Sequence, residues 1–222
     1  MKPRALAVSL LKLALCVQGV LPAITLYQRL ARIDRHFIVD YDYRVLALGI
    51  AETGVWAFIF LFAALACTPL ARITGFRWPN ELRRTLGLLA FFWCCLHFVV
   101  YLVIGQKLNW TYALEDAWLR KSRIPGWLSL LLLVPLAITS TDGMIRRLGG
   151  KRWKNLHRLV YASAAFAVLH LAWVDYDYRG GYARTKRALI PLLILLGLRL
   201  VPLTALRKKL ESSRSTRSSL DP

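Results

Sequence analysis

Acidic residues are scarce: 12 Asp plus Glu stand against 31 Lys plus Arg, a formal net charge of +19. Cysteine is scarce too, and four irregularly spaced thiols in 222 residues exclude a secreted disulfide scaffold. No G-x-G-x-x-G fingerprint occurs, and no interval between apolar runs is long enough for a nicotinamide-binding domain. A self-sufficient NAD(P)H oxidoreductase is therefore excluded. What is abundant is apolar sequence, 57% of the chain. Soluble domains are closer to half apolar and nearer electrical balance. A nucleic-acid binder would account for the charge but not for the apolar excess, so no nucleic-acid partner is expected. Apolar blocks separated by basic loops describe a chain that spans a lipid bilayer several times.

Six apolar stretches, 5–27, 45–67, 85–105, 124–141, 156–174 and 188–206, each approach the roughly 20 residues that a helix needs to cross the hydrocarbon layer. The expected fold is all-α: one bundle of six transmembrane helices over residues 1–206, followed by a basic, disordered tail over 207–222. The first stretch is long, contains Lys12 and Pro22, and leads to no convincing cleavage site, so it reads as a retained helix. An even number of spans puts both termini on one side. That side collects 18 basic residues, among them Arg83, Arg84 and Lys154, against 12 on the other, which favours cytoplasmic termini.

Polar groups at membrane depth are costly and therefore informative. Three histidines stand in spans: His97, His157 and His170. At 1.5 Å of rise per residue, His97 lies about 20 Å beyond Arg84 on the third span, and His170 about 24 Å beyond Lys154 on the fifth. His157 lies only about 4–5 Å past Lys154. His97 and His170 thus share a depth on two helices that run the same way, and His157 sits far from both. Imidazoles at matched depth on separate helices suit the two axial positions of a haem. On the pattern alone, histidine as interhelical hydrogen-bond glue is as open as haem ligation, and histidine in a proton relay is the lesser alternative. A relay would suit a non-redox transporter, but no matched pair of Pro- or Gly-broken spans supports one. For His157 and His170 to face one stack of haems, the ideal helix must be interrupted, because 13 residues at 100° each leave their side chains about 140° apart.

At these residues the chain resembles the MsrQ family, formerly YedZ. These are haem-binding membrane subunits of bacterial methionine sulfoxide reductase systems, within a ferric-reductase-like class that includes the NADPH oxidases. The resemblance rests on Thr53-Gly54 with Ala57, and on Thr68-Pro69-Leu70-Ala71. It continues with Leu82-Arg83-Arg84-Thr85-Leu86-Gly87-Leu88, Leu96-His97 and Tyr101, then Thr139-Ser140-Thr141 with Met144. Leu148-Gly149, Trp153, Leu156-His157, Val160-Tyr161 and His170 complete it. It implies a six-helix bundle in the bacterial inner membrane with one or two b-type haems and FMN. His97, His157 and His170 fall on haem-associated positions. It further implies electron transfer from the quinone pool or a cytosolic flavin reductase to a periplasmic molybdopterin-containing methionine sulfoxide reductase, which repairs oxidised proteins. The catalytic site would belong to that partner. One departure stands out: the NADPH oxidases carry a second His 14 residues before the outer one on the third span, and here that position is Arg83. An inner haem would then have His157 and no obvious second ligand. Arg83, and Arg199 in the sixth span, are the expected propionate contacts.

Other residues carry weaker signals. Cys16, Cys67, Cys94 and Cys95 read as small buried hydrophobes, and Cys94 alone lies near a histidine at a ligand-like spacing, so zinc is not expected. Phe91, Trp93 and Tyr101 read as walls of a pocket around His97. Asp40-Tyr41-Asp42-Tyr43-Arg44 recurs as Asp175-Tyr176-Asp177-Tyr178-Arg179, as interfacial tyrosine anchors or as the rim of a docking surface on the outer side.

Overall fold

The structure, a computed structural model, describes residues 3–31, 38–179 and 182–200. His36, the tail at 207–222 and the side chains of Asp40-Tyr41-Asp42-Tyr43-Arg44 and Arg199 fall outside the described residues. Every regular element among the described residues is helical: α1 (Pro3–Ala31), α2 (Ile38–Thr74), α3 (Trp78–Val100), α4 (Trp110–Leu119), α5 (Arg123–Ile138), α6 (Asp142–Leu148), α7 (Gly150–Leu156), α8 (Leu159–Arg179) and α9 (Ala183–Leu200).

Among the described residues, four segments are long and apolar enough to cross a membrane: Leu6–Gln28, Ala47–Thr74, Trp78–Gly105 and Gly150–Asp177. A fifth exists if α4 and α5, bent by 117°, count as one span. Alone, α5 has 16 residues and reaches about 24 Å, short of the roughly 30 Å hydrocarbon thickness. The sixth expected span, 188–206, coincides with α9 as far as Leu200 and then leaves the described residues. Large apolar side chains stay exposed along these helices, including Leu10, Leu13, Val17, Val55, Ile59, Leu131 and Ile194. Lipid is the solvent that accepts such surface.

The sequence sets the breaks. Gly75, at φ +75°, ends α2 by donating its N–H to Ala71 O, and Pro79 opens α3 in its first turn. The C-terminal end of α3 passes into a π-turn, Tyr101–Gly105, where Gln106 N–H reaches Tyr101 O. Asn109 Oδ1 accepts from Thr111 and Tyr112 N–H and starts α4. The interval containing α4 reads as a loop in the sequence. In the structure Ala113 and Ala117 form a narrow buried face that makes it a helix, with Trp110, Tyr112 and Trp118 outward. Thr141 caps α6, and Gly149 at φ +72° separates α6 from α7. The chain breaks again at His157–Arg158, between α7 and α8.

Packing follows from small residues at close approaches. The α2–α3 pair forms the main wall, and α5 packs along α8. Ser129 Oγ donates to Ser163 O at 3.0 Å and Ser163 Oγ to Ser129 O at 3.1 Å, a reciprocal clasp between α5 and α8. The core of Phe60, Leu61, Leu65, Leu89, Leu133, Leu136 and Val168 fills the middle. Trp93, fully buried, donates Nε1–H to Gly19 O on α1 at 2.8 Å. A Cβ at Gly19 would stand 2.8 Å from a Leu89 methyl, so glycine lets α1 lie this close to α3. Trp93 therefore fastens α1 and stacks on Trp56, and it does not wall a site at His97. Cys67 is buried as expected, Cys94 and Cys95 are half-buried, and Cys16 is exposed on the outside of α1.

Candidate haem site between α2, α3, α5 and α8

The structure brings His97 and His170 together. Their ring centroids are 6.2 Å apart and their planes cross at 81°. His97 projects from α3 toward α2, where its Nδ1 lies 3.1 Å from Ile50 O and 3.0 Å from Thr53 Oγ1. Thr53 is fully buried and gives its own proton to Gly49 O at 2.6 Å, so its oxygen is left to accept. His170 projects from α8 toward the start of α5, with Nδ1 2.6 Å from Ser122 O. A carbonyl oxygen only accepts. Both Nδ1 atoms therefore carry the proton, and both Nε2 atoms keep a lone pair for a metal, the tautomer that backbone acceptors impose on ligating histidines.

Glycine makes room for each ring. A Cβ at Gly54 would meet His97 Cε1 at 3.3 Å, and one at Gly126 would meet His170 Nδ1 at 2.9 Å. The two rings border a cavity of about 710 Å³, lined largely by apolar side chains such as Val55, Phe58, Phe98, Trp127 and Leu130. That volume lies within the roughly 300–1,000 Å³ of cofactor pockets. Two metal–imidazole bonds of about 2 Å each, plus about 1 Å from each nitrogen to its ring centre, place axial imidazole centroids about 6 Å apart. The observed separation is compatible with one metal ion between the rings, and the cavity beside them has the volume of a cofactor pocket. Among the described residues no three His, Cys, Asp or Glu side chains converge on a point.

His157 is elsewhere and held differently. Its ring stacks on Trp153 at 4.0 Å, and its Nε2 is 3.1 Å from Thr139 Oγ1. Thr139 donates its proton to Pro135 O at 2.6 Å, so here Nε2 is the protonated nitrogen. The interruption that one helical face requires is present at His157–Arg158, and His157 and His170 both meet α5, one at each end. Arg83 lies within electrostatic reach of His157. Arg83, Arg84, Ser140 and Val160 border a cavity of about 60 Å³ that does not reach His157. Neither a second macrocycle nor a flavin fits that volume.

The sequence reading also missed residues. Arg123 and Arg187 border the large cavity, and Tyr101 borders it as expected. Phe91 faces the small cavity instead. Neither arginine stands out in the sequence among the basic residues of the connecting segments. The second Asp-Tyr-Asp-Tyr-Arg copy, and the backbone of the first, are helical, within α8 and α2. Asp175 is buried, and its Oδ2 accepts from Thr185 N–H and Thr185 Oγ1 at the start of α9. It is a cross-helix cap rather than part of a surface.

Residues 48–168 match the family "Ferric reductase like transmembrane component", a segment that contains His97 and His157 and stops just short of His170. The MsrQ heme-binding subunit of the protein-methionine-sulfoxide reductase of Herminiimonas arsenicoxydans is 48% identical over 123 residues, 55% of this chain and 56% of that protein. The MsrQ subunit of Rhodospirillum rubrum is 50% identical over 119 residues, 54% and 57% of the two chains. That of Ralstonia nicotianae is 39% identical over 151 residues, 67% and 68%. The chain belongs to the MsrQ family of ferric reductase like transmembrane proteins. The aligned segment spans somewhat over half the length of the first two MsrQ relatives. With at least four membrane-length helices, this family member is a multi-pass membrane protein.

Proposed function

We propose that this MsrQ family member is a haem-binding electron-transfer subunit, with His97 and His170 as the axial ligands of one haem b. The observation that carries the reading is the 6.2 Å separation of two imidazoles whose Nδ1 atoms are both turned away onto backbone carbonyls. A haem held by His97 and His170 would supply a one-electron couple, which suits electron relay and not binding of a sulfoxide. The chain's own residues bind and orient. Ile50 and Ser122 carbonyls fix the ring tautomers, Gly54 and Gly126 leave the rings space, and the apolar wall excludes water.

In this reading six helices cross the bacterial inner membrane, both termini are cytoplasmic, and the bundle end that carries α4 faces the periplasm. The histidine pair then lies near the side where a molybdopterin-containing methionine sulfoxide reductase would collect electrons. The donor in this reading is a quinone or a cytosolic flavin reductase, as the resemblance to the family implies. The names of the relatives support the haem and the methionine sulfoxide reductase system. An inner haem at His157 requires Thr139 to release Nε2 and the helices around the small cavity to part. FMN has no place in that cavity either. A proton relay through His97 and His170 is disfavoured, because a relay ring must pass protons through both nitrogens and each Nδ1 is held by a carbonyl.

The test is an absorption spectrum of the detergent-purified protein from haem-replete cells. A Soret band that shifts on dithionite reduction, and that is lost in His97→Ala and in His170→Ala, is the expected result. A colourless protein, or a band unchanged in both variants, overturns the reading.

A further inference from the structure

The large cavity is lined by two imidazoles, mostly apolar side chains, and two guanidinium groups, Arg123 and Arg187, with no acid in its lining among the described residues. Arg123 is the first residue of α5 and its side chain is only 15% exposed. Its Nε donates to Asp116 Oδ2 at 3.0 Å, and its guanidinium lies over the Tyr101 ring at 5.4 Å. Tyr101 in turn donates its hydroxyl proton to the same Asp116 oxygen at 2.9 Å. Arg120 takes the other oxygen of Asp116 at 3.1 Å, so one carboxylate serves two guanidinium groups. Two guanidinium groups thus meet the cavity wall, while the acid that positions one of them stands behind the lining. Arg187, exposed in the first turns of α9, brings the second cation from another helix.

A cavity that is apolar over most of its wall and has two guanidinium groups in its lining selects a ligand of the same division. A ligand that matches it is apolar through most of its area and carries anionic groups. We propose that Arg123 and Arg187 form an anion clamp that grips the two carboxylates of the tetrapyrrole seated between His97 and His170. The assignment rests on the haem reading above and concerns the His97–His170 site; Arg83, expected at a propionate of an inner haem, borders the small cavity at the other end of the bundle. Asp116 and Tyr101 are positioning residues: they hold the Arg123 guanidinium against the cavity wall. Planar bidentate geometry makes arginine suited to this task.

The experiment compares haem b with haem b dimethyl ester, in which both carboxylates are esterified. Full-length protein produced under haem limitation is titrated with each, and the bis-imidazole spectrum reports binding. The wild type is expected to prefer the free diacid by roughly 10- to 100-fold through the largely buried Arg123, the range of charge-assisted hydrogen bonds, and by up to about fivefold more through the exposed Arg187. Arg123→Gln with Arg187→Gln should lose that preference while still giving the bis-imidazole spectrum with the diester. Arg187→Gln alone, at an exposed position, tests the clamp without disturbing the interior and should lose part of the preference. Persistence of the full diacid preference in the double variant overturns the clamp. A bis-imidazole spectrum in the wild type with no diacid preference overturns the clamp and leaves the ligand assignment standing. No bis-imidazole spectrum with either compound overturns the ligand assignment, and the clamp with it.

Discussion

The two ends of α5 each hold a histidine from the neighbouring α7–α8 segment, and they hold opposite nitrogens. At the α4 end Ser122 O takes the Nδ1 proton of His170 and leaves Nε2 available beside a cavity of about 710 Å³. At the other end Thr139 Oγ1 takes the Nε2 proton of His157, Trp153 covers the ring, and the adjoining cavity is about 60 Å³. The same residue type against the same helix thus turns its Nε2 to a large cavity at one end and is a packed, hydrogen-bonded joint at the other. The difference lies in the acceptor and the space around it, not in the histidine.

The comparison can be broken most severely at the first end. His97→Ala or His170→Ala removes one of two axial nitrogens and should abolish the bis-imidazole spectrum, read by absorbance of the reduced protein. Next in size is Gly126→Val. Even the first carbon of the new side chain would stand only 2.9 Å from His170 Nδ1, and overpacking of this kind costs about 1–3 kcal/mol. Haem retention should fall by about 5- to 150-fold in a haem-transfer assay, the equivalent of that cost. Thr53→Val is milder. It removes one of the two acceptors on His97 Nδ1 and should weaken retention by about threefold to tenfold, with a displaced midpoint potential in a redox titration. Smallest at the outer site is His157→Ala. The spectrum of the His97–His170 pair should persist, while thermal stability drops by about 1–2 kcal/mol through loss of the Thr139 bond and the Trp153 stack. A simultaneous fall in haem per chain would assign a second haem to His157 and erase the contrast between the two ends.

Much of this was legible in the sequence. Helical rise alone pairs His97 with His170 and sets His157 apart, because depth depends only on residue count along a span. Azimuth was not legible. The interruption at His157–Arg158 decides which way α7 and α8 face, and no proline marks it. The helical character of Trp110–Leu119 was hidden because its buried stripe is only Ala113 and Ala117, too slight for a periodicity to register. Arg123 and Arg187 were hidden for another reason. Basic residues crowd every connecting segment, and only the packed structure distinguishes the two that turn toward the cavity. The glycines opposite the imidazoles carry no signal of their own until a neighbouring helix presses a ring against them.

The buried carboxylate of Asp175 has a mechanical consequence. By accepting both protons of Thr185 it welds the last turns of α8 to the first turn of α9, so the two helices cannot slide independently at that joint. His170 stands five residues before the weld and Arg187 two residues after it. One side of the cavity is in this way built as a single truss, with His170 and Arg187 set on the two arms of one joint.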